Sequence, residues 1–152
     1  MLDPSGFYAG KKIKGRKRHI LVDTLGLLLN VAVHPASIQD RDGAALVLDK
    51  RTRRLFPFIE RIYADGGYQG PRVRAAAAKT GNWKIEIVKR SDKAKGFVVL
   101  PKRWVVERTL AWISRNRRLA RDFERYARTA AAFIRLAMIR IMLRRLAPNH
   151  SL

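Results

Sequence analysis

Apolar residues recur along this chain in short runs that alternate with helical segments. Runs of strand length, rich in β-branched and aromatic residues, occur at positions 19–22, 27–33, 59–64 and 83–88. The four residues between the first two runs, 23–26, are typical of a turn and predict a β-hairpin. The order of the elements is hairpin, helix, strand, helix, strand and two closing helices, which predicts an α/β fold.

Helical signals separate the strands. A capping-box pattern from Ser37 to Asp40 predicts a helix that ends in a basic run and is stopped by Pro57. A shorter helix is predicted at 71–79, with proline in its first turn. Two helices, at 102–126 and 129–146, close the chain. The last is apolar nearly all round, so we expect it in the core.

One predicted strand ends on a carboxylate. Asp65 follows the apolar run 59–64 and precedes Gly66-Gly67, which gives the backbone freedom for a sharp exit. An acid at the carboxyl end of a strand lies at the usual ligand crevice of an open α/β sheet. The structural alternative is that Asp65 only caps the turn.

A second carboxylate lies on the predicted helix 102–126. At 100° per residue Val106, Leu110 and Ile113 share one face, and Glu107 lies on the stripe beside it, at the edge of the buried side. A strand-end acid and a later helical Glu are suited to hold hard cations, because Mg²⁺ prefers oxygen ligands and two such ions support phosphoryl transfer. Glu107 could equally form an ion pair with Arg103, one turn earlier.

The net charge of the chain indicates the chemical class of its binding partner. Lys and Arg number 33 against 12 Asp and Glu, a formal charge of +21, which implies a polyanion partner. Nucleic acid is the first expectation and an anionic membrane surface the second.

The absence of cysteine excludes disulfides and thiolate chemistry. No signal peptide is recognised, and Arg135 and Arg140 interrupt the most apolar segment, which argues against a membrane span. We expect His19 and His34, near predicted strand ends, to serve packing or hydrogen bonding in preference to metal ligation.

Several blocks of the sequence resemble bacterial insertion-sequence transposases of the DDE class. They are residues 15–26, 34–43, 64–68 and 115–119, with the most specific block at 103–112, read Arg-Trp-Val-Val-Glu-Arg-Thr-Leu-Ala-Trp. The resemblance implies a ribonuclease H-like mixed sheet flanked by helices, DNA cleavage with strand transfer, and a metal triad of two Asp and one Glu. By position Asp65 matches the second Asp and Glu107 the Glu, with Mg²⁺ or Mn²⁺ as the implied cofactor.

The chain also departs from that family pattern. The family's first Asp lies on a strand before the basic hairpin, and no such strand is recognised here; Asp3, in a Pro/Gly-rich stretch, and Asp23, in a turn, are poor substitutes. The family's usual N-terminal DNA-binding segment is also not recognised. Ser114 stands where a basic residue is expected, and of its neighbours Arg118 shares the Glu107 stripe better than Arg115.

We therefore expect residues 1–152 to be a single, N-terminally truncated transposase catalytic domain that lacks the first strand and has a helical C-terminus. It would be a remnant or the second product of a split reading frame, inactive alone. Its expected partners are double-stranded DNA, the upstream half and a second copy, in the bacterial cytoplasm on the nucleoid. The alternative is a non-catalytic basic DNA-binding remnant. The predicted phosphate-binding cations are Lys14, Arg16, Lys17, Arg18, Lys89, Arg90, Lys102, Arg103, Arg115 and Arg118.

Overall fold

A computed structural model of the chain describes residues 5–10, 12–81, 83–88 and 102–147. The predicted cations Lys89 and Arg90, together with Asp3, lie outside these residues. Of Arg103 the structure describes the backbone, which begins a helix.

The first sheet is antiparallel and contains the predicted hairpin. Its strands are β1 (Gly6–Tyr8), β2 (Ile13–Val22) and β3 (Leu28–Pro35), in the order β1-β2-β3. The turn between β2 and β3 is held by Asp23, whose Oδ1 accepts the N–H groups of Leu25 and Leu27 at 2.8 Å each. The predicted hairpin and the turn role of Asp23 are therefore confirmed.

Two expectations about the N-terminal part were wrong. The strand expected at 19–22 already begins at Ile13, inside the basic run that precedes it in the sequence, and Gly6–Tyr8, where no strand was expected, forms β1. The backbone ladder explains both, because Arg16 lies opposite Pro35 in β3 and Gly6 lies opposite Gly15. Tertiary pairing here outweighs the weak strand preference of lysine and glycine.

The second sheet is a parallel pair. It consists of β4 (Arg61–Asp65) and β5 (Lys84–Val88), which are joined through the helix α3 (Pro71–Thr80). A 3₁₀ turn at Gly66–Tyr68 ends β4. These elements agree with the sequence expectation, and the architecture is mixed α/β.

The helix after the hairpin is shorter than expected. One helix was predicted up to the residues before Pro57, but the chain forms α1 (Asp40–Val47) and a separate α2 (Lys50–Leu55). The break follows from Asp49, whose Oδ1 accepts the N–H of Thr52 at 2.7 Å and caps α2. The capping-box prediction was also wrong, since α1 begins after Gln39 with no side-chain cap.

The helix predicted at 102–126 also ends early. It is α4 (Arg103–Ser114), which is followed by a 3₁₀ turn at Arg117–Leu119. The amide of Asn116 donates to the carbonyl oxygens of Trp112 and Ile113, which satisfies acceptors that a helix end leaves open. Arg118 therefore does not share a helical stripe with Glu107.

The final helix, α5 (Ala127–Leu146), is only partly core. Ile134 and Met138 are 0% and 1% exposed, whereas Leu136, Ile139, Leu143 and Leu146 are exposed, so the expectation of an all-round buried helix was wrong. In the part of the chain that the structure describes, no helix is long and apolar enough to span a membrane.

Two apolar clusters hold these layers together. The first joins both sheets to α1 and α3 through residues that include Leu21, Val47, Ile62 and Val73. The second packs β3 against α4 and α5 through residues such as Ile113 and Ile134. The hairpin sheet thus has a helical layer on each face.

Candidate active site at the end of strand β4

Asp65 lies where the sequence placed it, at the carboxyl end of β4. Its Oδ1 accepts the N–H of Gly67 at 2.8 Å, which is the capping role considered from the sequence. The residue is nevertheless exposed, as is the whole turn from Asp65 to Gly67. One carboxylate oxygen therefore caps the turn while the residue stays exposed to solvent.

Glu107 is positioned by a hydrogen-bonded helix face. The buried side of α4 consists of Val105, Thr109 and Ile113, which corrects the predicted face of Val106, Leu110 and Ile113. The buried Thr109 hydroxyl donates to the carbonyl of Gly26 at 2.7 Å and thereby fastens α4 to the hairpin turn. With this face fixed, Glu107 is exposed on another side of the helix.

Asp65 and Glu107 both lie in the wall of one cavity. A cavity of about 570 Å³ is lined by β2, β4, β5 and α4, and both Asp65 and Glu107 are among its lining residues. Val106 and Leu110 also line it, which explains why they are not packed in the buried face of α4. Residues that are far apart in sequence are thus brought to the same opening.

A lysine at the start of α4 lies against the same side of β4. Tyr63 and Asp65 lie on one face of the strand because side chains alternate, while Ile62 is buried on the other. The Nζ of Lys102 lies 3.9 Å from the ring centroid of Tyr63. The start of α4 therefore approaches the face of β4 that bears Asp65, with a positive charge nearby.

Sequence reasoning missed Asp40 as a neighbour of Asp65. A Cβ added at Gly67 would lie 3.1 Å from both Asp40 Oδ2 and Asp65 Oδ1, so these oxygens are no further apart than twice that distance. The other oxygen of Asp40 pairs with Lys17 Nζ at 3.0 Å. The family-like block 34–43 contained this residue, but it was interpreted only as part of a helix cap. Among the described residues, no group of three or more His, Cys, Asp or Glu is arranged to hold a metal.

Two buried histidines pack beside the turn that follows β4, as expected. His19 and His34 are buried and stacked, with ring centroids 4.5 Å apart, and the Nδ1 of His19 shares a hydrogen bond with the Tyr68 hydroxyl. Burial, with the neighbouring His34, lowers the pKa of His19 to about 4. Burial, and then the negative charges of Asp40 and Asp65, raise the pKa of the Tyr68 hydroxyl.

Three of the predicted DNA-binding cations make contacts within the chain. Arg16 Nε pairs with Asp122 Oδ2 at 2.6 Å, and the same side chain also donates to the carbonyl of Glu124. Arg18 donates to the carbonyl of Leu119 at 2.9 Å, while Lys17 holds Asp40. The contacts of Arg16 and Arg18 tie β2 to the segment between α4 and α5, and the contact of Lys17 ties β2 to the start of α1.

The remaining described cations are more accessible. Lys14, Lys102 and Arg115 are exposed. Arg118 is exposed as well, although its Nε pairs with Glu124 at 2.8 Å and its guanidinium lies over the ring of Phe133. The accessible cations thus come from β2, from the start of α4 and from the segment after it.

Comparison with known proteins agrees with the resemblance seen in the sequence. The model of the transposase DDE domain family matches residues 3–142. A Burkholderia cepacia protein named as a transposase for insertion sequence element IS402 is 34% identical over 129 residues, covering 80% of this chain and 60% of that protein. The chain therefore spans less than two thirds of this relative's length. No solved structure matches the chain. The match across most of the sequence shows that the chain belongs to the transposase DDE domain family.

Proposed function

We propose that residues 1–152 form one part of a transposase catalytic domain in which Asp65 and Glu107 hold divalent cations for phosphodiester cleavage and strand transfer. The observation that carries this proposal is that Asp65 and Glu107 both line one cavity, which is also lined by Lys102, at the start of α4. Membership of the DDE family supports the reaction class and the use of a divalent metal. In this proposal the two sheets belong to one ribonuclease H-like sheet.

The donor set suits Mg²⁺ or Mn²⁺. Both ions prefer oxygen ligands, and Mg²⁺ is commonly held by one or two carboxylates together with substrate phosphates and water. When bound, such an ion supplies Lewis acidity to the phosphodiester and lowers the pKa of a coordinated water. Asp65 is well suited to this role because its carboxylate is exposed at a strand end.

The other side chains of the site position the nucleic acid. Lys102, whose Nζ lies over the Tyr63 ring, lines the same cavity as the two acids and would hold a phosphate of the cleaved strand. The wider excess of positive charge, +21 over the chain, would hold the duplex and place the protein on the nucleoid. Exposed Lys14 and Arg115 are the described cations best placed for this contact, and Lys89, Arg90 and Arg103 remain predictions from the sequence.

The chain alone is proposed to be inactive. Two divalent ions carry four positive charges, and Asp65 with Glu107 offers only two negative ones, while positioning accounts for most of the catalysis in phosphoryl transfer. An upstream half of a split transposase would supply the first Asp of the triad. A second copy of the chain is the further partner to be tested.

A non-catalytic DNA-binding remnant is the second candidate function. The observation that favours it is that the described residues contain no cluster of three acids or histidines suited to a metal. Metal binding separates the two proposals, since a remnant that has lost the chemistry has no need to retain a cation site.

The test is a titration of the purified chain with Mn²⁺, followed by electron paramagnetic resonance of the free ion. We expect Asp65→Asn and Glu107→Gln each to weaken binding by at least the roughly tenfold loss that removal of an outer-shell partner causes at metal sites. Glu60→Gln, at an exposed position just before β4, is the matched control and should leave the affinity unchanged. Equal losses in all three variants, or none in Asp65→Asn, would reject the metal site.

A further inference from the structure

Helix α5 carries a second apolar face, on the side away from the core. Its buried face, which includes Ile134 and Ala137, packs in the cluster that joins α5 to β3 and α4. On the other side Ala132 is exposed, and four large apolar side chains are 58%, 49%, 59% and 81% exposed, namely Leu136, Ile139, Leu143 and Leu146. A contiguous exposed apolar stripe of this kind marks an interaction surface.

The spacing of these five residues is that of a coiled coil. They follow one another at intervals of four, three, four and three positions, which is the alternation of the d and a positions of a heptad. At 100° per residue all five lie within about 40° of one line along the helix, roughly opposite the buried face. We call them the α5 seam. A seam this narrow fits one partner helix better than a broad membrane surface.

The charges beside the α5 seam determine which helix can pair with it. Arg135 and Arg140 occupy the g and e positions that flank it, where coiled coils form ion pairs between helices. The whole of α5 contains five arginines and no acidic residue. A second copy would therefore set arginine against arginine in either orientation, whereas glutamates at the facing positions would form ion pairs.

We propose that the α5 seam binds an amphipathic helix of another protein, with leucine or isoleucine at its a and d positions and glutamate at e and g. From Ala132 to Leu146 the seam is about 21 Å long, at 1.5 Å per residue. Its geometry is fixed before binding, because α5 packs on the core and Arg145 lies 4.9 Å from the ring centroid of Trp112. No residue of the seam lines the cavity of Asp65 and Glu107, so this surface is separate from the metal proposal.

The experiment uses a synthetic peptide of three heptads as the probe. The peptide has isoleucine at a, leucine at d, glutamate at e and g, and alanine or glutamine elsewhere. Repulsion between its own glutamates opposes pairing of the peptide with itself. A scrambled peptide of the same composition carries the same charge and controls for non-specific attraction to a chain of charge +21. Fluorescence anisotropy measures binding of each labelled peptide to the 152-residue chain at about 0.3 M salt, which screens exposed charges.

We expect the chain to bind the ordered peptide at least about tenfold more tightly than the scrambled one. Leu136→Gln and Leu143→Gln should each weaken binding about tenfold, because the burial of a leucine side chain is lost while helix propensity is kept. Leu46→Gln, at an exposed leucine of α1, is the matched control and should leave the affinity unchanged.

The charge of the partner is tested with Arg140→Glu. This variant should bind the glutamate peptide more weakly than the parent chain does, and it should bind an otherwise identical peptide with lysine at e and g more tightly. Unchanged preference for the glutamate peptide would contradict the assignment of an acidic partner.

Four further results would overturn the proposal. Two of them are equal binding of the scrambled peptide and an equal loss of affinity in Leu46→Gln. A dimer in sedimentation velocity that Leu143→Gln abolishes would identify a second copy as the occupant of the α5 seam. Binding to phosphatidylglycerol vesicles that is lost in the same variants, without binding of the peptide, would identify a membrane surface instead.

Discussion

Gly43 leaves the space that the buried ring of His19 needs, and His19 in turn contacts Tyr68 in the turn after Asp65. It lies in α1, where alanine is ordinarily preferred to glycine by about 1 kcal/mol. A Cβ at this position would clash with His19 Nε2, and the His19 ring is itself stacked on His34. The contact with the imidazole therefore outweighs helix propensity here.

Gly43→Ala should consequently destabilise the chain, by about 1–3 kcal/mol, because overpacking in a filled core costs this much. Urea unfolding measures the change. Adding His19→Ala should remove most of the penalty of Gly43→Ala, since the partner of the clash is then absent. A Gly43→Ala chain that is as stable as the parent would show that the ring can move aside.

His19 also predicts how stability depends on pH. Its pKa is about 4 in the folded chain and 6.5 in the unfolded chain, so between these values the unfolded state binds more protons. Stability should therefore fall as the pH falls from 6.5 towards 4, by up to about 3 kcal/mol from this residue. The titratable groups that face the ring are His34, Asp40, Lys17 and the hydrogen-bonded hydroxyl of Tyr68.

The measurement is urea unfolding at pH 7, 5.5 and 4.5 of the parent chain and of His19→Asn. The variant is expected to be less stable at pH 7 but to lose less on acidification, because other titrating groups act equally in both chains. Identical pH slopes in the two proteins would contradict the buried neutral imidazole.

At the scale of the element, α4 depends on one buried hydroxyl. Thr109 is 0% exposed and its Oγ1 donates to the Gly26 carbonyl in the hairpin turn. Thr109→Val keeps the shape but leaves that carbonyl without its partner, which should cost about 1–3 kcal/mol. Thermal unfolding measures this, with the exposed Thr24→Val as control. A loss no larger than that of the control would mean that packing alone holds α4.

The elements also show which parts of the structure can be predicted from sequence. The hairpin and the strand that ends at Asp65 were predicted because β-branched runs, turn residues and the Gly66-Gly67 pair determine the backbone conformation of their own segments. The early ends of α1 and α4 were missed because Asp49 and Asn116 bond to nearby backbone groups, and helical periodicity does not report such competition.

The candidate site was predictable to a similar extent. Asp65 and Glu107 were found through strand-end position and the resemblance to transposases. The proximity of Asp40 to Asp65 was missed because it arises from packing of α1 against the turn at Gly67. The buried face of α4 was misplaced because Thr109, a polar residue, faces the interior through a hydrogen bond to a distant turn.

For the whole molecule, charge dominates the expected behaviour. With a formal charge of +21, the chain should bind duplex DNA with little sequence preference and a steep dependence on salt. Neutralising about six phosphates would give a slope near −5 in a plot of log affinity against log salt concentration. Fluorescence anisotropy titrations at several salt concentrations test this. A flat response, or strong preference for one short sequence, would contradict it.

Asp65 and Glu107 are proposed to form one part of a divided active site. Cleavage of duplex DNA carrying an element end, with Mg²⁺ or Mn²⁺ present, tests this most directly. We predict no useful cleavage by the 152-residue chain alone, cleavage after the upstream half is added, and loss of that activity in Asp65→Asn or Glu107→Gln, with Glu60→Gln unaffected. Robust cleavage by the chain alone that disappears in Asp65→Ala would contradict the account, because an acid of this chain would then complete the site.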